Sequence, residues 1–251
     1  MLNYFTFDGK DSRDFSILIK SKKSYNAPER LLNFQSIPGR DGDLVIDTGS
    51  YSNINMSYDI LILADKAFDS NVDVVRATEK IKEWLYSKPG QYLELCDSYD
   101  PEYYRQAVFT GELEFEPERN NYHYITSQIK FNCKPYRYRL NGNKTITVDE
   151  NGSLITNSER YKSLPLIRLY GAGASYFVLN GYRYDFDFSG TGYNYVDIDS
   201  EKQIVYHGSV SYMNKYTPSS ILFPELKAGE NAIALGGGMS KIEITPKWRT
   251  I

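Results

Sequence analysis

Four side chains of this sequence could serve as soft metal ligands or as a nucleophile and its base: Cys96, Cys133, His123 and His207. A cysteine hydrolase needs a thiolate beside an imidazole, and a structural zinc needs Cys and His at short, repeated spacings. No Cys-x-x-Cys or His-x-x-x-His pattern occurs, so the four read as buried thiols and satisfied histidines. Asp97, Asp100 and Glu102 are close enough to suggest a glycosidase carboxylate pair, but they flank Pro101 with nothing marking a cleft, and turn chemistry accounts for them. Glu112, Glu114 and Glu116 alternate with Leu113 and Phe115, the pattern of one solvated strand face. Phosphate cradles need a glycine-rich loop opening onto a helix. Gly171-Ala172-Gly173-Ala174 and Gly236-Gly237-Gly238 are each followed by strand-like sequence and read as tight turns. Lys20, Lys22 and Lys23 form a short basic cluster, read as a solvated strand end rather than a phosphate site. The sequence therefore offers no catalytic, cofactor-binding or metal-binding residue, and the protein is expected to be no enzyme and to use no cofactor.

The elements that carry these residues are mostly strands. Tyr4, Phe5 and Phe7 precede Asp8-Gly9, and Phe15, Ile17 and Ile19 then alternate with polar residues, giving a hairpin. Pro28, Pro38-Gly39 and Asp41-Gly42 punctuate a stretch whose apolar runs, Leu31-Leu32 and Leu44 to Ile46, are too short for helices; a long loop or an excursing hairpin is expected from about Ala27 to Tyr51. Ile54 to Leu63 reads as a strand that becomes fully buried. One helix follows, capped by Asp69, Ser70 or Asn71, with Val74, Ala77, Ile81, Trp84 and Leu85 on one face and Pro89-Gly90 ending it. Tyr92 to Leu95, Tyr103 to Phe109, Leu113 to Phe115 and Tyr122 to Phe131 are strand-like.

Near Pro135 the pattern breaks, placing a domain boundary between residues 1–134 and 135–251 with a short, fixed join. Beyond it only short strands are expected, at Ile146 to Val148, Leu166 to Tyr170, Tyr176 to Leu179, Tyr182 to Phe188, Tyr193 to Asp197, Gln203 to Tyr206, Asn231 to Ala234 and Ile242 to Ile244, the spacing of a β-sandwich. The fold class is mainly β, consistent with 23 Tyr and 12 Phe in 251 residues. Such a length buries a sizeable core without disulfides. A net charge of -3 argues against nucleic acid as a partner, since phosphate neutralisation needs a Lys/Arg excess. No membrane-spanning run and no signal-peptide pattern is visible, so no membrane association and synthesis in the cytoplasm are expected.

Read in order, Phe5-Thr6-Phe7-Asp8-Gly9 with Asp14-Phe15, Ile37-Pro38-Gly39-Arg40-Asp41-Gly42 ahead of Leu44, the amphipathic helix with Trp84-Leu85, Phe131-Asn132-Cys133-Lys134-Pro135-Tyr136, and the ending Ile242 to Arg249 resemble the distal tail proteins of siphoviruses over nearly the whole chain. The resemblance implies an N-terminal β domain with one helix and a projecting hairpin, then a galectin-like β-sandwich. It implies a structural virion protein at the bacteriophage tail tip, assembled in the host bacterial cytoplasm. There a hexameric ring, a baseplate hub, would join the tail-tube and tape-measure proteins to a tail-associated lysin or tail fibre for host adsorption. No room exists for the arm insertion of some relatives, so a compact member is expected.

A closed ring needs two different patches that meet on neighbouring subunits. The loop around Ile37, Pro38, Arg40, Asp41 and Leu44 is the expected inter-subunit contact, Arg40 supplying a charge-assisted bond; ordinary turns within one subunit are the alternative. A carbohydrate-binding sandwich aiding adsorption to the cell wall is the rival function, with Tyr182, Tyr184, Tyr193 or Tyr195 stacking on sugar rings. The sugar-contacting phrases His-Asn-Pro-Arg and Trp-Gly of true galectins are absent, His207 being followed by Gly208 and Trp248 by Arg249.

Overall fold

The computed structural model describes residues 3–22, 26–63, 71–117, 124–150, 152–220 and 222–251. The chain is mainly β, with one α-helix among the described residues, and divides into two compact units, residues 1–137 with Ile251 and residues 138–250.

In the first unit, β1 (Phe5–Phe7), β2 (Lys10–Asp11), β3 (Ile17–Lys22), β4 (Arg30–Ser36), β5 (Asp43–Tyr51) and β6 (Ile54–Leu63) precede the helix α1 (Asn71–Leu85). After it come β7 (Leu93–Asp97), β8 (Tyr103–Phe109), β9 (Glu116–Pro117) and β10 (Tyr124–Arg139). The main sheet runs β2-β1-β7-β8-β10-β6-β3, with β9 added against β10. Strand β6 alternates buried and less buried residues along its length, as a strand with one core face must. Residues Ile54, Met56, Tyr58, Ile60 and Ile62 face inward.

The helix closes that core. Ile81, Trp84 and Leu85 are buried, and Val74 and Ala77 pack partly buried beside them, so the spacing read from sequence is the spacing that packs. Trp84 stacks on Phe15 at 4.3 Å and on Phe5 at 5.6 Å. Its indole N–H donates to the Phe7 carbonyl at 3.0 Å, which satisfies the one polar atom of a buried ring. The helix ends at Leu85, before Pro89-Gly90, and Ser87 Oγ donates to the Trp84 carbonyl at 2.8 Å. The capping candidates Asp69 and Ser70, with Lys23, Tyr122 and His123, lie outside the described residues.

Five expectations change here. The opening segment is not one hairpin: β1 turns into the short β2 and pairs with β7, while β3, which carries Ile17 and Ile19, pairs with β6. Strand β6 does not become fully buried, because it keeps its alternation to the end, with Leu61 half-buried and Leu63 exposed. Leu113 to Phe115 is not a strand: Leu113 and Phe115 pack against the core while only Glu116–Pro117 pairs, with Ile125 and Thr126. Strand β10 is far longer than its apolar run suggests, continuing through Pro135 to Arg139. Lys22 is no solvated strand end, because its side chain is buried and its ammonium lies 2.7 Å from Asp97.

The second unit contains β11 (Ile146–Val148), β12 (Ser153–Asn157), β13 (Leu166–Leu179), β14 (Tyr182–Asp187), β15 (Tyr195–Asp199), β16 (Ile204–His207), β17 (Val210–Ser211), β18 (Tyr216–Pro218) and β19 (Gly229–Thr245). Its logic is visible in rows of paired residues. Ile146, Ile244, Ile167, Ile198 and Val205 are consecutive cross-strand partners, all apolar. The adjacent row on the opposite face reads Thr147, Glu243, Arg168, Asp197, Tyr206. One face is core, the other polar.

The two glycine-rich stretches are not turns. They lie opposite each other inside β13 and β19, where the pairing register shifts between Tyr170 and Ser175. Gly173 and Gly237 adopt positive φ, and a Cβ on Gly236 would run into the Tyr176 ring. Glycine permits this close backbone approach and the bend that goes with a bulge. Before the bulge β13 pairs with β15, after it with β14, so a single nine-stranded sheet folds into two halves that share one core. The four strands expected at Leu166, Tyr176, Asn231 and Ile242 are therefore two long bent ones.

Candidate assembly surface

Among the described residues, strands β4 and β5 pair only with each other, forming a two-stranded sheet of their own. The segment is thus a hairpin rather than a loop. At its tip, Pro38 and Gly39 occupy the central positions of a turn in which the Arg40 N–H donates to the Ile37 carbonyl at 3.2 Å, with Gly39 at φ 80°. Proline then glycine with positive φ is the sequence of a type II turn. Gly42, at φ 79°, completes the reversal into β5.

The base is fixed by side chains. Pro28 is buried and the Ser52 N–H donates to the Glu29 carbonyl at 2.9 Å. Arg30 forms a two-pronged bond to Asp47 at 2.9 and 2.6 Å, and its guanidinium lies 4.6 Å from the Tyr51 ring centre. The bond to Arg30 holds the Asp47 carboxyl below its usual range, and the same bond raises Arg30. Between these pairs β5 bulges: Arg30 faces Tyr51 but Leu32 already faces Asp47. Thr48 Oγ1 closes the bulge on the Leu31 carbonyl at 2.7 Å, and the Gly49 N–H bonds Asp47 at 2.9 Å.

What this frame presents is apolar on both sides. By register, Leu32, Phe34 and Val45 share one face; Leu44 and Ile46 share the other with Leu31, Asn33 and Gln35. All six apolar side chains are exposed, from 37% for Leu32 to 64% for Phe34. An isolated two-stranded hairpin is marginal in water, and a contiguous exposed apolar patch marks a contact surface. Of the residues expected at the contact, Pro38, Arg40, Asp41 and Leu44 are exposed and Ile37 is half-buried. Arg40 and Asp41 have no ion-pair partner among the described residues. Sequence reasoning centred on the tip and left out Phe34, Val45 and Ile46; the alternation of two apolar runs across one turn was the available signal.

The residues weighed for chemistry are placed elsewhere. Asp97 takes bonds from Lys22, from the Tyr58 hydroxyl at 2.6 Å and from the Tyr99 and Asp100 N–H groups, and Asp100 bonds Arg137, so both carboxylates hold a turn together. Burial pushes the Cys133 thiol up to about 12 and raises Cys96, the opposite of a reactive thiolate. His207 stacks on Tyr193 at 3.7 Å and meets Tyr195 at 4.3 Å. No group of three or more His, Cys, Asp or Glu suited to a metal occurs among the described residues. Tyr184 is buried against Phe177 and Tyr216, which removes it from any sugar-stacking set.

No protein-family model and no curated protein matches the sequence. The crystal structure of the Dit (gp 19.1) protein of phage SPP1, described as a paradigm of hub adsorption apparatus in Gram-positive-infecting phages, matches over 100% of both chains with a TM-score of 0.72 at 15% identity. The two chains thus share a fold from end to end.

Proposed function

We propose that this chain is a structural protein of a bacteriophage tail tip, a distal tail protein whose copies close into a hexameric hub ring. The ring links the tail tube and tape-measure protein above to a tail-associated lysin or fibre below. The observation that carries the reading is the end-to-end fold match to a phage hub protein, with no segment left over in either chain. The hairpin supplies the means of assembly. Its two apolar faces have no cover within the described chain, and a ring offers each copy a neighbour on which to lay them. Arg40 and Asp41 at the tip would then take their charged partners from that neighbour. On this reading the function is mechanical, and the ordered contacts around Asp97 stabilise a scaffold rather than carry out a reaction.

Gold-conjugated antibody raised against the chain and applied to intact virions tests the assignment. Label confined to the end of the tail distal to the capsid is the expected result. Label along the tail or on the capsid, or none on particles shown by mass spectrometry to lack the chain, would overturn it.

A further inference from the structure

A cleft of about 310 Å³ opens in the first unit, and its wall holds more positive than negative side chains: Lys22, Arg105 and Arg137 against Asp97 and Asp100. Lys22 is spoken for by Asp97. Arg105 is not so matched. It sits on β8 opposite Leu95, on the strand face that looks toward the core, and its one hydrogen bond among the described residues is to the Pro135 carbonyl at 3.3 Å. A guanidinium carries five N–H donors, and a mostly buried one without a carboxylate is costly to keep. Burial accordingly lowers its proton affinity, and nearby Arg137 lowers it further. Arg137 spends one nitrogen on Asp100 at 2.7 Å, but its Nε is buried with no partner. Arg105 thus keeps unused donors in the cleft beside the Arg137 guanidinium, whose bond to Asp100 leaves it short of full pairing. The rest of the lining includes Ile54, Met56 and Leu95, which offer a carbon surface.

We propose that this cleft binds a small organic carboxylate, the oxyanion taken by Arg105 and Arg137 and the carbon body laid on Ile54, Met56 and Leu95. The planar fork of arginine matches a carboxylate in two-pronged fashion, and the apolar wall favours an organic acid over a bare inorganic anion. The site uses no hairpin residue and stands independently of the assembly reading.

Isothermal titration of the full chain with hexanoate, at constant ionic strength and beside an inorganic phosphate arm, tests it. Saturable binding of hexanoate, with phosphate at least about tenfold weaker, is expected. Arg105→Gln should weaken hexanoate binding by about tenfold or more, the loss of one charge-assisted contact. Asp100→Asn removes the competing carboxylate from Arg137 and should tighten binding, an effect that a purely structural Arg137–Asp100 pair would not give. Should Arg105→Gln not fold, the Asp100→Asn result decides alone. No saturable hexanoate binding, phosphate binding of equal strength, unchanged binding by a folded Arg105→Gln, or unchanged or weaker binding in Asp100→Asn would each overturn the proposal.

Discussion

At the scale of single residues, the first unit depends on one ring. Trp84 is buried between Phe15 and Phe5 with its indole N–H bonded to Phe7, so it joins the helix, the first strand and the turn after it. Trp84→Ala leaves a cavity and an orphaned carbonyl, and should cost about 3–5 kcal/mol in a urea titration. A loss below about 1 kcal/mol would show that the stack is not central. Buried phenols set the response to alkali. Burial raises Tyr58 and Tyr216 and lifts Tyr184 to about 12, with Cys133 likewise near 12. These groups ionise in the unfolded chain from about pH 8.5 to 10 but stay protonated in the fold, so the unfolded state holds fewer protons there. Their contribution is complete below that range and is lost as pH rises from it toward the raised folded values, about 12 for Tyr184 and Cys133, at about 1.4 kcal/mol per pH unit for each group. Denaturant midpoints measured at several pH values should fall steeply above about pH 10; a flat profile would contradict the burial of these hydroxyls.

At the scale of elements, the hairpin and the bent strands matter most. Because the apolar hairpin residues are exposed within the chain, changing Phe34, Leu44, Val45 and Ile46 together to Thr keeps strand propensity and should shift monomer stability by no more than about 1–2 kcal/mol. The same variant should lose self-association. A variant that unfolds would show instead that the hairpin is part of the core. Legibility in the sequence followed local period. Helix α1 could be read because one face packs in a single core, whereas strand β6 was legible as a strand but its apolar end, Ile60 to Leu63, suggested two buried faces where it has one. Pro38-Gly39 announced its turn through the proline φ and the glycine at positive φ. The glycine stretches misled, since glycine serves a bulge between two long strands as well as it serves a turn, and only the cross-strand register tells them apart. Strand β12 passed unnoticed because Ser153–Asn157 offers only Leu154 and Ile155 as apolar residues. The Lys22–Asp97 pair was invisible because the partners are distant in sequence and meet only through sheet pairing.

At the scale of the molecule, the account holds that the hairpin faces are covered by further copies of the same chain. The most direct test is multi-angle light scattering of the purified protein across a concentration series, alone and with the tail-tube protein. The account predicts a species near six times the 28.9 kDa chain, formed alone or on adding the partner, and its absence in the hairpin variant. A strict monomer under both conditions would contradict it, and saturable sugar binding by that monomer would make the carbohydrate-binding module the better reading.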